Sequence, residues 1–248
     1  MKRFENKVAF ITGGNSGIGK AAALLMAREG AKIVLADLAE NKDTLDEIAK
    51  EGTAVRFVAC NVSKAEEVKQ AIRATVDFFG SLDVAVNNAG VVDSGLLHEK
   101  PIEEWQRVLD INLSGVFYGM KYQIAQMRKQ ATGGAIVNVG SIMSQVAELG
   151  IASYASSKHG LIGLTKVAAL ENAVNHIRVN TIGPGYIETP LLMDNASQES
   201  RAYMESKHPM NRLGKPEEIA KAILFMASED ASFCTGTYLP VDGGYLIQ

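Results

Sequence analysis

Tyr154 and Lys158 stand four residues apart in Ser153-Tyr154-Ala155-Ser156-Ser157-Lys158. On a helix, that spacing puts both side chains on one face, one turn apart. A phenol beside an ammonium is a proton donor with a tunable pKa. Free tyrosine titrates near ~10, and an adjacent cation favours the phenolate and draws that value toward neutral pH. Ser141 lies thirteen residues before Tyr154, past the apolar run Ala135-Ile136-Val137-Asn138-Val139. Such a run predicts a buried strand. Ser141 then sits at a strand's carboxyl end, the edge where open α/β sheets bind ligands. Tyr–Lys pairs also occur on ordinary solvated helix faces, so the chemistry depends on what the rest of the chain places beside this pair.

Thr12-Gly13-Gly14-Asn15-Ser16-Gly17-Ile18-Gly19 follows the apolar run Val8-Ala9-Phe10-Ile11 and precedes a helical pattern. Glycines there allow a tight turn and close backbone approach, and the following helix N-terminus attracts a pyrophosphate. The spacing Gly13, Gly17, Gly19 departs from G-x-G-x-x-G, so the strand-loop-helix context carries more of this argument than the glycines do. Asp37 closes the second apolar run. A carboxylate there accepts hydrogen bonds from an adenosine ribose and repels a 2′-phosphate. Its neighbours Asn15, Ser16, Leu38 and Ala39 include no cation. The expected cofactor is therefore NAD rather than NADP.

The elements that must hold these groups alternate along the chain. Strands are expected at Val8 to Ile11, Lys32 to Ala36, Ala54 to Ala59, Leu82 to Val86, Ala135 to Val139, Ile177 to Ile182 and Thr237 to Val241. Helical patterns lie between them. Pro101 starts a helix that reads as continuous toward Met127, since Pro suits a first turn. The rhythm predicts an α/β fold, a Rossmann-like, doubly wound parallel sheet of about seven strands with helices on both faces. Residues 1–248 read as one such domain. Residues 187–212 interrupt the alternation at the ligand edge and read as a substrate lid.

Composition narrows the function classes. With 248 residues and 47% hydrophobic content the chain can bury a large core, and a net charge of −3 argues against nucleic-acid or anionic-membrane partners. Cys60 and Cys234 show no metal-ligand spacing and suit a reducing compartment. Lys2 and Arg3 are followed by Glu5, Asn6 and Lys7, which breaks any signal-like apolar core, and no apolar run spans a bilayer. The expectation is a cytoplasmic protein. His98, His159, His176 and His208 do not pair with other ligands at metal spacings, so no metal is expected.

Together these motifs resemble the short-chain dehydrogenase/reductase family, over essentially the whole chain. The matching pieces run in family order: the Gly13 to Gly19 loop, Asn87-Asn88-Ala89-Gly90, Asn112, Ser141, Tyr154 with Lys158, Pro184-Gly185, and Val241-Asp242-Gly243-Gly244. The resemblance implies a catalytic set of Asn112, Ser141, Tyr154 and Lys158. Tyr154 would exchange the proton, Lys158 would hold the nicotinamide ribose and lower the Tyr154 pKa, and Ser141 would bind the substrate oxygen. Asn112 would kink its helix and hold a relay water. Asn88, Ala89 and Gly90 would pack beside the cofactor, with Asn88 near the adenosine ribose. Pro184, Gly185, Ile187 and Thr189 would lie at the nicotinamide end. Asn61 and Val62 would flank the adenine. Many relatives carry Asp at position 61, and Asn keeps a carbonyl acceptor there. A homotetramer is also implied.

By position, the substrate wall comes from Val91 to Leu96, Ile142 to Leu149, Tyr186 and the lid, with Asp93, Gln145 and Glu148 as polar exceptions. Met193, Met204 and Met210 are candidate lid contacts. This predicts a medium-sized apolar or cyclic secondary alcohol, or its ketone. One alternative is a 3-oxoacyl-acyl-carrier-protein reductase, with Arg128, Lys129, Lys207 and Arg212 meeting an acidic carrier. Another is a non-catalytic nucleotide-binding sensor, which would not need the Tyr and Lys this chain retains.

Overall fold

The computed structural model describes residues 2–194 and 196–248. Strands Val8–Thr12 (β1), Lys32–Asp37 (β2), Val55–Ala59 (β3), Val84–Asn87 (β4), Gly134–Val139 (β5), Ile177–Pro184 (β6) and Tyr238–Val241 (β7) form one parallel sheet in the order β3-β2-β1-β4-β5-β6-β7. This is the doubly wound sheet that the alternation predicted. Its order reverses between β1 and β4, and ligands occupy the crevice above such a switch point.

The helices are Gly17–Arg28 (α1), Lys42–Ala49 (α2), Ala65–Phe79 (α3), Ile102–Leu109 (α4), Gly115–Met127 (α5), Ala152–Asn172 (α6), Pro190–Met193 (α7), Gln198–Ser206 (α8) and Pro216–Ala227 (α9). Strand side chains alternate between the two faces. Ala9, Ile11, Ile33, Leu35 and Val86 pack against Ala22 and Met26 of α1 and Ile219 and Ile223 of α9. Phe10, Val34, Ala85, Ile136 and Val179 pack against Ile72 of α3, Met120 of α5 and Leu161 of α6. β1 is buried at every position, which is why its sequence shows a continuous apolar run instead of alternation.

A buried polar ladder ties β4 and β5 to α6. Asn87 Nδ2 donates to Asn138 Oδ1 at 2.9 Å, and Asn138 Nδ2 donates to Thr165 Oγ1 at 2.9 Å. The helix that carries Tyr154 is thereby registered against the strand that ends before Ser141.

The helical region expected from Pro101 toward Met127 runs through, with one irregular turn. α4 stops at Leu109, Asp110–Ser114 forms a π-helical turn, and α5 begins at Gly115. Asn112 supplies the cause. Its Oδ1 accepts from the Val91 N–H at 2.9 Å and its Nδ2 donates to the Val91 carbonyl at 2.8 Å. The helix widens by a residue to let this side chain reach another loop, and such bulges cluster at functional sites. Residues 187–212 hold α7 and α8, and the chain returns where Gly214 bridges Ile187. Asn195, within that segment, lies outside the described residues.

Candidate active site

Above the switch point lies a cavity of about 530 Å³. Its cofactor side includes the glycine loop after β1. Gly13 and Gly17 adopt positive φ of 63° and 53°, the left-handed region open to glycine. Gly19 does not reach the wall; its role is close packing, because a Cβ there would lie 2.2 Å from the Gly13 carbonyl oxygen. Thr12 Oγ1 accepts from the N–H groups of Asn88 and Ala89 at 3.0 and 3.1 Å, locking β4 to the loop.

A dinucleotide fits this side. Ser16 is the N-cap of α1 yet its hydroxyl makes no capping bond, and the first turn carries no acidic residue. An anion therefore meets a free hydroxyl and unpaired N–H groups at a positive helix end. Asp37 is held at the wall by the N–H groups of Asn15 and Leu38, at 3.2 and 2.8 Å. Asn15 contributes that backbone bond; its side chain turns to the Ala39 carbonyl and does not line the cavity.

Ser16, Gly17, Ile18, Asp37, Asn61, Val62, Asn88, Ala89, Gly90, Pro184, Gly185, Ile187 and Thr189 all line the cavity with Gly13. Two of them spend side-chain groups on protein contacts. The Asn61 carbonyl is committed to Ser63, accepting its N–H at 3.0 Å and its hydroxyl at 2.8 Å. The turn into α3 uses the acceptor, which leaves the amide NH₂ for a ligand. The Asn88 amide donates to the Thr12 and Gly13 carbonyls, both at 3.0 Å. It staples the glycine loop instead of presenting a free donor.

Ser141, Tyr154 and Lys158 meet on the same wall. Lys158 is buried, and its Nζ donates to the Val139 carbonyl at 2.7 Å while sitting 5.5 Å from the centre of the Tyr154 ring. Burial lowers the Lys158 pKa to about 8. The expected lowering of the Tyr154 pKa is not found. Burial raises it, and the hydrogen bond from Ser141 opposes this without overcoming it. Desolvation thus favours the neutral form of both groups, and it outweighs a cation placed over the ring instead of at the hydroxyl. Asn112 is fully buried behind this wall, bonded to Val91 and to Ser157 Oγ at 3.3 Å, and does not line the cavity.

The substrate side corrects several sequence readings. Asp93 is a buried scaffold residue and not part of the wall. It pairs with Lys100 at 2.6 Å, with both side chains almost wholly buried. Its carboxylate accepts from the N–H groups of Ser153 and Tyr154 at 3.3 and 3.1 Å, capping the start of α6. Burial alone would raise its pKa, but the bonds from Lys100, Ser153 and Tyr154 hold it below the usual 3.8. Gln145 is exposed and off the wall, while Glu148 is on it. From the Val91 to Leu96 stretch, Val91 and Val92 line the cavity. Met193, Met204 and Met210 do not; Met143 does. His208, the lid histidine, is buried and makes structural bonds to Tyr186 and Met204. Arg212 is committed to Glu218 by two bonds of 2.8 and 2.7 Å.

Three contributors escaped the sequence reading. Tyr238 donates to the Ser141 carbonyl at 2.9 Å across 97 positions. Lys100 is a lone cation with no pattern around it. Thr12 stands inside the loop motif, where its position before Gly13 was the available signal.

A family model described as enoyl-(acyl carrier protein) reductase matches residues 13–246. Cyclohexanol dehydrogenase of Acinetobacter sp. (strain SE19) is 44% identical over 246 residues, covering 98% of this chain and 96% of that protein. A 3-oxoacyl-acyl-carrier-protein reductase of Thermotoga maritima is 41% identical over 249 residues, covering 99% of this chain and 100% of that protein. Among solved structures, a short-chain type dehydrogenase/reductase from Mycobacterium marinum superposes with a TM-score of 0.96 at 34% identity, covering 99% of this chain and 97% of that one.

Proposed function

The chain belongs to the short-chain dehydrogenase/reductase family, and on that premise we propose that it interconverts a medium-sized apolar or cyclic secondary alcohol and its ketone using NAD(H). The observation that carries this reading is the meeting of Ser141, Tyr154 and Lys158 on a cavity that also holds the glycine loop and Asp37.

A bound nicotinamide supplies or accepts the hydride. The chain's residues position the partners and move the proton. In reduction, Tyr154 donates its phenolic proton to the carbonyl oxygen, and burial keeps that proton in place beforehand. In oxidation, Tyr154 takes the hydroxyl proton. Ser141 hydrogen-bonds the substrate oxygen. Lys158, anchored by Val139, binds the nicotinamide ribose with its remaining N–H groups. Asn112 acts from behind, fixing Val91. Gly13, Ser16, Gly17 and Ile18 hold the pyrophosphate, and Asp37 accepts from the adenosine ribose and repels a 2′-phosphate. Asn61 and Val62 flank the adenine. Pro184, Gly185, Ile187 and Thr189 lie toward the nicotinamide.

The apolar wall and the similarity to a cyclohexanol dehydrogenase support a cyclic alcohol. Residues 187–212 act as the lid of this one domain, since Thr189, Leu191 and Leu192 from that segment face the cavity. Exposed Ile102, Phe117, Leu170 and Val174 on and beside α4, α5 and α6 supply apolar area for a homotetramer. Free Cys60 and Cys234 suit the cytoplasm.

The second reading, a 3-oxoacyl-acyl-carrier-protein reductase, is favoured by the Thermotoga maritima relative. Asp37 disfavours the NADPH that such activity usually takes, and Arg212 is already paired with Glu218.

The test is a panel of secondary alcohols and ketones, with one acyl-thioester ketone, assayed with NAD(H) and NADP(H). Cyclic alcohols should turn over, with NAD bound about tenfold more tightly than NADP. Tyr154→Phe should lower kcat by about 10²- to 10⁴-fold. Full activity in Tyr154→Phe would refute the proton-transfer assignment. Preference for the thioester with NADPH would favour the second reading.

A further inference from the structure

We propose that Glu148 and Tyr186 form a polar subsite at the substrate end of the cavity, selecting a neutral alcohol with a second hydrogen-bond donor and rejecting an anionic one. The inference rests on the alcohol–ketone reading of the same cavity and names the substrate class within it.

The wall around this end is apolar, with Val91, Met143, Ile151, Leu191 and Leu192 among its residues. Glu148 and Tyr186 interrupt it. The Tyr186 hydroxyl donates to Glu148 Oε2 at 2.5 Å, and the Tyr203 hydroxyl donates to Oε1 at 3.4 Å. The Tyr186 proton is therefore committed to the carboxylate and is not free for a substrate. Burial and the adjacent Glu148 raise the Tyr186 pKa, so the phenol stays a donor. What the pair offers the cavity is acceptor lone pairs and a negative charge.

The subsite is held in place from behind. The Tyr186 N–H donates to His208 Nε2 at 3.2 Å, which puts the His208 proton on Nδ1, facing the Met204 carbonyl at 2.9 Å. The Tyr186 ring also stands edge-on to His208 and Tyr245, with ring centres 5.7 and 5.9 Å away. Arg201, on the adjoining α8, is engaged with Glu188 and Glu205. Among the described residues Glu148 has two phenolic partners and no ion pair. An unneutralised carboxylate in an apolar cavity repels a second carboxylate and accepts strongly from a hydroxyl. A site built to pair a polar group also discriminates against analogues lacking it.

The experiment compares three probes at saturating NAD: cyclohexanol, a cyclohexanediol and 4-hydroxycyclohexanecarboxylate. The readout is each probe's kcat/KM relative to cyclohexanol within one protein, for wild type and Glu148→Gln. Wild type should favour the diol and disfavour the carboxylate by about tenfold or more. Glu148→Gln should raise the carboxylate ratio by about tenfold and lower the diol ratio. Ratios unmoved by Glu148→Gln would overturn the subsite while leaving the alcohol reading standing. Absence of turnover with every probe would sink that reading and the subsite with it. If Glu148→Gln does not fold, the wild-type ratios decide: a carboxylate used as well as cyclohexanol overturns the proposal.

Discussion

On the cofactor side of the cavity, the Asp37 carboxylate and the Asn88 amide are each held by backbone groups of the loops at the strand ends. On the substrate side, Val91, Met143, Glu148, Tyr186 and Leu192 come from the three segments that follow β4, β5 and β6 and line one cavity. The first side reuses what any parallel sheet has at its switch point: strand ends, a helix N-terminus and a tight turn. The second side has no such template. Its shape depends on which side chains the loops turn inward, and neighbours in sequence can do opposite things. Val92 lines the cavity, while Asp93 points away and is sealed under α6.

Separate construction implies separable failure. The largest test of that is Asp93→Asn, which leaves the Lys100 ammonium buried without its partner. Breaking such a pair costs about 3–5 kcal/mol, read from the urea midpoint. The double variant Asp93→Asn/Lys100→Met removes the orphaned charge and should recover most of that stability. Because Asp93 accepts from the Tyr154 N–H, the double variant should still show a lower kcat with NAD affinity kept. A parallel loss of NAD affinity would show that the two sides are one unit.

The next effect is a pH dependence at the junction of the two sides. Burial lowers Lys158 from 10.5 to about 8 in the folded protein. Between those values the unfolded chain binds more protons than the folded one, so stability rises with pH across the window. Tyr154 is raised above 10, so its contribution runs the other way and begins above that pH. From pH 8 to 10 the Lys158 contribution should rise by about 2–3 kcal/mol at 1.36 kcal/mol per unit, while Cys60, pushed by burial from 9.0 to about 11, opposes it from about pH 9 upward, so the difference between wild type and Lys158→Met isolates Lys158. Lys158→Met should be more stable than wild type at pH 8 and lose the advantage toward pH 10. A constant difference across that range would mean that Lys158 is hydrated in the free protein.

Gly19→Ala tests the cofactor side alone. The new Cβ would lie 2.2 Å from the Gly13 oxygen and 2.6 Å from Asn88 Nδ2. The first is backbone and the second is pinned by two bonds, so neither can yield cheaply. Overpacking of this kind costs about 1–3 kcal/mol. NAD affinity should fall, while the ranking of alcohol substrates at saturating NAD stays the same. A changed ranking would argue against independent sides.

What was legible in the sequence follows the same division. The parallel sheet with helices on both faces was legible in continuous apolar runs separated by helical patterns, because strands buried on both faces must be apolar throughout. Tyr154 and Lys158 share one helix as their four-residue spacing predicted, and they line one cavity with Ser141 from the end of β5. The π-turn at Asn112 was legible only as the kink that the family resemblance implies, because its cause is a bond to Val91, 21 positions away. The Asp93–Lys100 pair was hidden for the same kind of reason: a charged residue in a loop reads as solvated until its partner is known. Glu148 was legible as a polar exception on an apolar wall, but Tyr186 as its donor, 38 positions on, was not. Local patterns reveal what the backbone builds, and pairs distant in sequence reveal themselves only in the folded chain.

The smallest expected effect is at Asp37, and it bears on why the cofactor side is not backbone alone. Asp37 Oδ2 and Oδ1 accept from the Asn15 and Leu38 N–H groups, so the side chain is held without any cation beside it. Asn at this position keeps one acceptor and loses the charge. Removing the charge should weaken the repulsion of a 2′-phosphate more than it weakens bonding to ribose hydroxyls. Asp37→Asn should therefore cut the NAD-over-NADP preference by about tenfold, or 1.4 kcal/mol, measured as the ratio of the two dissociation constants. The alcohol ranking should not move, because among the described residues Asp37 and the loops bearing Glu148 and Tyr186 share no hydrogen bond. An unchanged cofactor ratio would shift discrimination from this carboxylate to the shape of the loop around it, making the cofactor side a backbone construction throughout.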